Sequence, residues 1–213
     1  MENIINSIKS MINPIMETHG FLCEGNIYKK IIDKEQNLYC TYEFQLRKKI
    51  GGDYYFLSIR LHINQKEISD IANSANIECV QDNNKLSVSQ KRKEIRELKK
   101  NETIASLIRW SDIDNLFRTD VTIWNCSLYS FNELYNFEKQ FMILFEKGQE
   151  WVDNALNWDF LIKWNENTHF YDRALSILKY LGKKEEFDLL KGRAMELCKS
   201  KPQYLNLLQK FNI

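Results

Sequence analysis

Two stretches of alternating residues constrain the fold of this chain more than any other feature. In the stretch Leu38–Arg47, every second residue is apolar: Leu38, Cys40, Tyr42, Phe44 and Leu46. The stretch Tyr54–Ile63 repeats the pattern with Tyr55, Leu57, Ile59, Leu61 and Ile63. Because successive side chains of a strand point to opposite faces, a period of two predicts half-buried strands. The pair Gly51-Gly52 between them predicts a hairpin turn.

Helices are predicted on both sides of this hairpin. An apolar stripe from Ile4 to Met16 predicts an N-terminal helix, which Pro14 should kink or divide and which Gly20 should end. Ser130, with Glu133 three residues later, matches the capping-box pattern, which predicts the start of a long helix reaching Leu156.

The remaining segments give shorter elements. Phe21–Asp33 predicts a strand at a sheet edge, with a bend at Gly25-Asn26, and Glu67–Ala75 predicts a short helix. The polar Glu78–Asn101 segment predicts a mobile loop leading into a charged helix. Thr103–Phe117 predicts one or two short helices, and Asp120–Cys126 predicts a further strand.

Beyond Trp158 the pattern is helical to the end of the sequence. Thr168 is predicted to cap a helix that ends at Gly182, a second helix runs through Phe187, and Pro202 introduces the last one. The fold class predicted is therefore α+β, with an antiparallel sheet of three or four strands packed by helices and a C-terminal all-helical subdomain. The expected division is a sheet domain at 1–129 and a helical region at 130–213, which could also form one continuous domain.

Composition narrows the class of protein. Hydrophobic residues make up 44% and charged residues 28% of the chain, a balance that excludes wholesale disorder. Five widely spaced cysteines with no Cys-x-x-Cys pair fit a reducing compartment, and Met1–Ser10 lacks the pattern of a signal peptide. We therefore expect a cytoplasmic protein, with no role at a membrane.

The N-terminal third carries a short pattern of its own. It consists of the first helix, Gly20-Phe21, Gly25-Asn26, Tyr28 and Lys30, followed by the alternating strand Leu38–Arg47. In these features it resembles the uncharacterised bacterial domain-of-unknown-function family 4304. The resemblance implies an α+β fold in a bacterial cytoplasm, and it brings no catalytic residue with it.

Signatures of catalysis are missing from the sequence. The histidines His19, His62 and His169 have no partner at a spacing typical of a metal site, and Gly51-Gly52 does not join a strand to a helix as a phosphate-binding loop does. We accordingly predict no catalytic residue, no metal and no cofactor, and we expect a binding protein in preference to an enzyme.

An uneven charge distribution points to binding instead. From Phe131 to Asp172 the sequence contains eight acidic and three basic residues. Carboxylates beside aromatic side chains suit a basic protein partner, since complementary charge speeds encounter and aromatic anchors stabilise the complex. The leading hypothesis is a non-enzymatic module of the bacterial immunity or antitoxin type that neutralises a basic toxin. Its predicted partner-binding residues are Glu146, Glu150, Trp151, Asp153, Trp158 and Asp159.

The alternative hypothesis is nucleic-acid binding. The polar face of the predicted hairpin interleaves aromatic and cationic side chains, an arrangement that stacks bases and neutralises phosphates. The segment Lys85–Lys100 adds seven basic residues against two acidic ones. The residues predicted for this alternative are Arg47, Tyr54, Arg60 and Arg92.

Overall fold

The structure is a computed structural model that describes residues 2–48, 55–107, 127–129 and 137–212. These residues confirm the α+β class, with six strands and eight helices. The strands are β1 (Leu22–Glu24), β2 (Ile27–Asp33), β3 (Leu38–Lys48), β4 (Tyr55–Asn64), β5 (Thr103–Leu107) and β6 (Ser127–Tyr129). The helices are α1 (Glu2–Thr18), α2 (Lys66–Asp82), α3 (Val88–Lys100), α4 (Phe137–Asn154), α5 (Trp158–Asn167), α6 (Tyr171–Tyr180), α7 (Lys184–Leu197) and α8 (Pro202–Lys210).

The strands form one antiparallel sheet in the order β1-β2-β3-β4-β5, with β6 paired to the beginning of β4. This is more strands than the three or four predicted. The alternation in β3 is confirmed, because Leu38, Cys40, Tyr42 and Phe44 are buried while the residues between them are half-buried. The predicted bend is also present. Glu24 pairs with Ile27, so Gly25-Asn26 is a two-residue turn, and Gly25 has the positive φ of 64° that such a turn needs.

The chain forms two compact units, each built from two separate segments. The first unit comprises Met1–Ile63 and Ser106–Leu156, and the second comprises Asn64–Ala105 and Asn157–Ile213. Helix α4 therefore belongs with the N-terminal strands, whereas α2 and α3 belong with the C-terminal helices. This division differs from the boundary between residues 129 and 130 that the sequence suggested.

An aromatic cluster forms the core of the first unit. The ring of Phe145 on α4 lies 5.6 Å from that of Tyr42 on β3 and 6.1 Å from that of Phe21. One turn earlier on α4, the ring of Phe141 lies 5.8 Å from that of Phe44. The buried hydroxyl of Tyr42 accepts a hydrogen bond of 3.2 Å from the Gln149 amide. These contacts fix which side of α4 faces the sheet.

The second unit is held together by helix packing and a few buried polar contacts. Asn165 on α5 is fully buried and donates a 2.9 Å hydrogen bond to the Ile104 carbonyl of β5. Tyr204 on α8 donates to a carboxylate oxygen of Asp172 on α6 at 2.9 Å. Pro202 occupies the start of α8, as predicted.

Several helix ends close in the same way. After α1, the amides of Gly20 and Phe21 donate to the carbonyls of Glu17 and Met16, and Gly20 has φ of 80°. This pair of bonds is a Schellman motif, which caps free carbonyls and favours glycine at the left-handed position. Gly182 closes α6 in the same manner, with φ of 68°. Both glycine stops were predicted.

Other predicted boundaries are wrong. Thr168 does not begin a helix; it ends α5, and the following residue His169 takes the left-handed conformation with φ of 64°. Helix α1 continues through Pro14, so the proline does not divide it. Helix α2 runs on to Asp82, so the expected loop shrinks to the connection between α2 and α3, whereas the charged helix after it is confirmed.

The prediction for Thr103–Phe117 is wrong over its first part. Thr103–Leu107 is strand β5, with Ile104, Ala105 and Leu107 all buried. A short run of this kind cannot be assigned to helix or strand from periodicity alone, and its pairing with β4 decides the outcome. The rest of that segment, the Gly51-Gly52 turn, the Asp120–Cys126 strand and the Ser130 capping box lie outside the described residues.

Two glycines of the second unit should respond in opposite ways to the same substitution. Gly182→Ala forces a Cβ into a left-handed backbone and should lower the free energy of unfolding by about 1–2 kcal/mol. Gly192→Ala lies inside α7, where an added Cβ meets no atom within 4 Å, and should raise it by about 0.5–1 kcal/mol. Urea denaturation followed by circular dichroism measures both, and shifts of the same sign would contradict this account of the helix ends.

Candidate binding surfaces

Helix α4 presents three carboxylates to solvent along one side. Glu146, Glu150 and Asp153 follow one another at spacings of four and three residues, which places them on one helix face. All three are exposed, and within the described part of the chain no ion pair involves them. These residues are termed the acidic stripe. Ile143, 39% exposed, continues the same face toward the start of the helix.

Trp151, which was predicted to lie on the partner-binding surface, is a core residue. Its side chain has no exposed surface and belongs to the buried side of α4. Leu144 and the buried Gly148 precede it at spacings of seven and three residues, so the helical period of the sequence already contained this signal. Burial makes the indole a support for α4 and removes it from the set of surface anchors.

The predicted residues Trp158 and Asp159 begin α5 in the second unit. The side chain of Asn157 caps this helix by accepting the amides of Asp159 and Phe160. The carboxylate of Asp159 lies 3.0 Å from the ammonium of Lys183, so its charge already has a partner. Trp158 is half-buried, with its ring 6.2 Å from that of Tyr180.

The polar face of the sheet is less basic than its sequence suggests. Arg60 lies 3.9 Å from the carboxylate of Glu43, which supplies a counter-charge. Contact with the His62 imidazole, together with a hydrogen bond from Gln45, lowers the pKa of Glu43 to about 2, so Glu43 is anionic at neutral pH. The side chain of Arg47 and the whole of Tyr54 lie outside the described residues.

Three neighbouring strands bring a serine, a histidine and a carboxylate together. His62 on β4 lies 2.9 Å through Nδ1 from the Ser106 hydroxyl on β5, and 3.6 Å through Nε2 from the Glu43 carboxylate on β3. Sequence reasoning missed this cluster because its members come from three strands whose register the sequence does not give. Ser106 is only 3% exposed. A hydroxyl so enclosed is poorly placed to attack a substrate, and the arrangement is that of a polar network that links strands.

Helix α3 presents a second charged surface of opposite sign. Ser87 and Gln90 form a capping box at its start, and none of its residues is buried. Arg92, Arg96 and Lys99 lie on one exposed face at spacings of four and three residues, and these residues are termed the basic stripe. No ion pair with a described residue involves them. Arg92 was predicted from the sequence, whereas Arg96 and Lys99 were counted only as part of a basic run.

Comparison with known proteins finds no relative of this chain. No family model matches it, and no match was found among the curated proteins or the solved structures. The resemblance of its N-terminal third to family 4304 stays a prediction. The described residues contain no group of three or more histidine, cysteine or acidic side chains that could hold a metal ion. In the same residues no helix has the length and apolar character needed to cross a membrane.

The lowered pKa of Glu43 predicts a pH-dependent contribution to stability. Its folded-state pKa lies below the ordinary value of 4.5, so the stabilisation is present above that value and is lost as pH falls toward about 2. Glu43→Gln should therefore lower the free energy of unfolding by about 1–3 kcal/mol at neutral pH. The difference in the free energy of unfolding between Glu43→Gln and the unsubstituted protein should shrink as pH falls from about 4.5 toward about 2.

Urea denaturation at several pH values measures that gap. Repeating the comparison in a His62→Gln background supplies the control, because it removes the largest cause of the lowered pKa. A gap that stays constant with pH, or that is unaffected by His62→Gln, would contradict the assignment.

Proposed function

We propose that this chain is a non-enzymatic protein-binding module that binds a basic protein through the acidic stripe of α4, in the manner of an immunity or antitoxin protein. The observation that carries the proposal is the stripe itself. Three exposed carboxylates with no described counter-ion stand on a helix whose opposite side is fixed by aromatic packing. A surface of this kind attracts a cationic partner over a distance and orients it on arrival.

The stripe offers apolar surface as well as charge. Ile143, three residues before the stripe, is 39% exposed, and Leu156, two residues beyond the end of α4, is 46% exposed. Charged contacts at the rim of an interface mainly set the rate of encounter and the choice of partner, and apolar contacts contribute most of the affinity. Trp158 is the remaining aromatic candidate of the predicted set, and its contribution can be tested separately by Trp158→Ala.

Nucleic-acid binding through the hairpin face has less support. Of its predicted strand residues, Arg60 alone has a described side chain, and that side chain lies beside the anionic Glu43. Tyr39 on the same face is covered by the Lys29 ammonium, which lies 3.8 Å from the ring centroid. A face with a paired cation and a covered aromatic ring is a poor match for single-stranded bases. The basic stripe of α3 is the cationic surface that remains.

Reversal of the acidic stripe should weaken the complex. The variant Glu146→Lys, Glu150→Lys and Asp153→Lys replaces three attractions with three repulsions. We expect its affinity for a basic partner to fall about ten-fold or more at low salt, since each exposed pair contributes about 0.2–1 kcal/mol. The partner is first recovered by affinity capture from nuclease-treated lysate and identified by mass spectrometry, and its binding is then measured by calorimetry.

A matched control separates local charge from net charge. Glu17→Lys, Glu24→Lys and Glu35→Lys change the net charge by the same amount at exposed positions of the same unit that are not part of α4. This control should retain most of the affinity. Equal losses in the two variants would show a dependence on net charge alone, and no loss in the stripe variant would refute the proposed surface.

A further inference from the structure

The acidic and basic stripes share one spacing with opposite charge. Along α4 the carboxylates stand at 146, 150 and 153, and along α3 the cations stand at 92, 96 and 99, so both sets follow steps of four and then three residues. Each set spans about 10.5 Å of helix at 1.5 Å per residue. Two helices lying parallel would therefore bring each cation opposite one carboxylate.

The apolar residues beside the stripes also correspond. Val88, 66% exposed, precedes the basic stripe by four residues, and Ile143 precedes the acidic stripe by three. In the same parallel alignment these two side chains differ in height by about 1.5 Å, close enough for contact. Arginine adds geometric selectivity, because its guanidinium can bind a carboxylate through two parallel hydrogen bonds.

We propose that the basic stripe of one copy of this chain docks on the acidic stripe of a second copy. Within each copy both stripes are exposed and without an ion pair to any described residue, so both are available. A net charge of +1 imposes almost no overall repulsion between copies. The same near-zero net charge disfavours a polyanion as the occupant. A nucleic acid would be attracted by the basic stripe but repelled by the acidic stripe.

The contact joins different surfaces of two identical chains. Such heterologous contacts form a closed ring when the rotation between copies closes, and an open series when it does not. Exposed ion pairs are individually weak, so we expect a Kd of roughly 0.1–1 mM at low salt. The association should disappear above about 0.5 M salt, where the Debye length is only a few ångströms.

Self-association would also regulate binding, an extension that rests on the proposed function. The second copy covers the acidic stripe, so a basic partner must displace it. Association of copies is measured on the purified chain alone and partner capture is measured separately. If self-association is not observed, the proposed binding of a basic partner is unaffected. If no partner is captured, the proposed self-association is unaffected.

Sedimentation velocity, measured over a range of protein concentrations, tests the proposal. The measurement compares the unsubstituted chain with two charge-reversed variants. One variant carries Glu146→Lys, Glu150→Lys and Asp153→Lys, and the other carries Arg92→Glu, Arg96→Glu and Lys99→Glu. Each variant alone should stay at the monomer mass of 25.5 kDa, while the unsubstituted chain shifts to higher mass at low salt. An equimolar mixture of the two variants should associate again, because each then offers a surface complementary to the other.

Restoration in the mixture distinguishes a specific contact from a general effect of charge or a folding defect. A chain that carries all six substitutions provides a second check, since it exchanges the two stripes and should associate with itself. The proposal is overturned if the unsubstituted chain is monomeric throughout at low salt, or if the mixture fails to associate. A labelled single-stranded oligonucleotide that binds the monomeric chain, and loses binding on reversal of the basic stripe, would assign that stripe to nucleic acid instead.

Discussion

The packing of Phe145 on Tyr42 is the contact on which the rest of the first unit depends. It joins the buried face of a strand, whose side chains recur with a period of two, to the buried face of a helix, whose side chains recur with a period of 3.6. The tyrosine hydroxyl would be costly to bury without a partner, and Gln149 supplies one. Ring contact and hydrogen bond together fix the rotation of α4 about its axis. That rotation decides which carboxylates reach solvent.

Local patterns predicted the parts of this fold that local forces control. The alternation of β3 and the glycine ends at Gly20 and Gly182 follow from steric rules that act within a few residues. Strand β5 was mistaken for helix because five mostly apolar residues have no distinguishing period. Its identity depends on hydrogen bonds to a strand that lies far away in sequence.

Some features of the candidate surfaces could likewise be predicted from local sequence patterns, and others could not. The spacing of Glu146, Glu150 and Asp153 could be read from the sequence, and so could the phase that buries Trp151. The pairing of Arg60 with Glu43 could not, because it requires the register between two strands. A net charge of +1 concealed two stripes of opposite sign, since a sum over residues contains no information about position. Their matched spacing became visible only when both segments were placed on continuous helices.

The two units are interleaved along the chain, and this has a consequence for synthesis on the ribosome. The first unit needs Ser106–Leu156 as well as Met1–Ile63, and the intervening segment belongs to the second unit. The buried face of β3 must wait for Phe141 and Phe145 to emerge, so an apolar strand surface stays uncovered while nearly a hundred residues are added. Contacts so distant in sequence slow folding and expose strands to pairing with other chains. Nascent chains of this protein would therefore be clients for chaperones until α4 has left the exit tunnel.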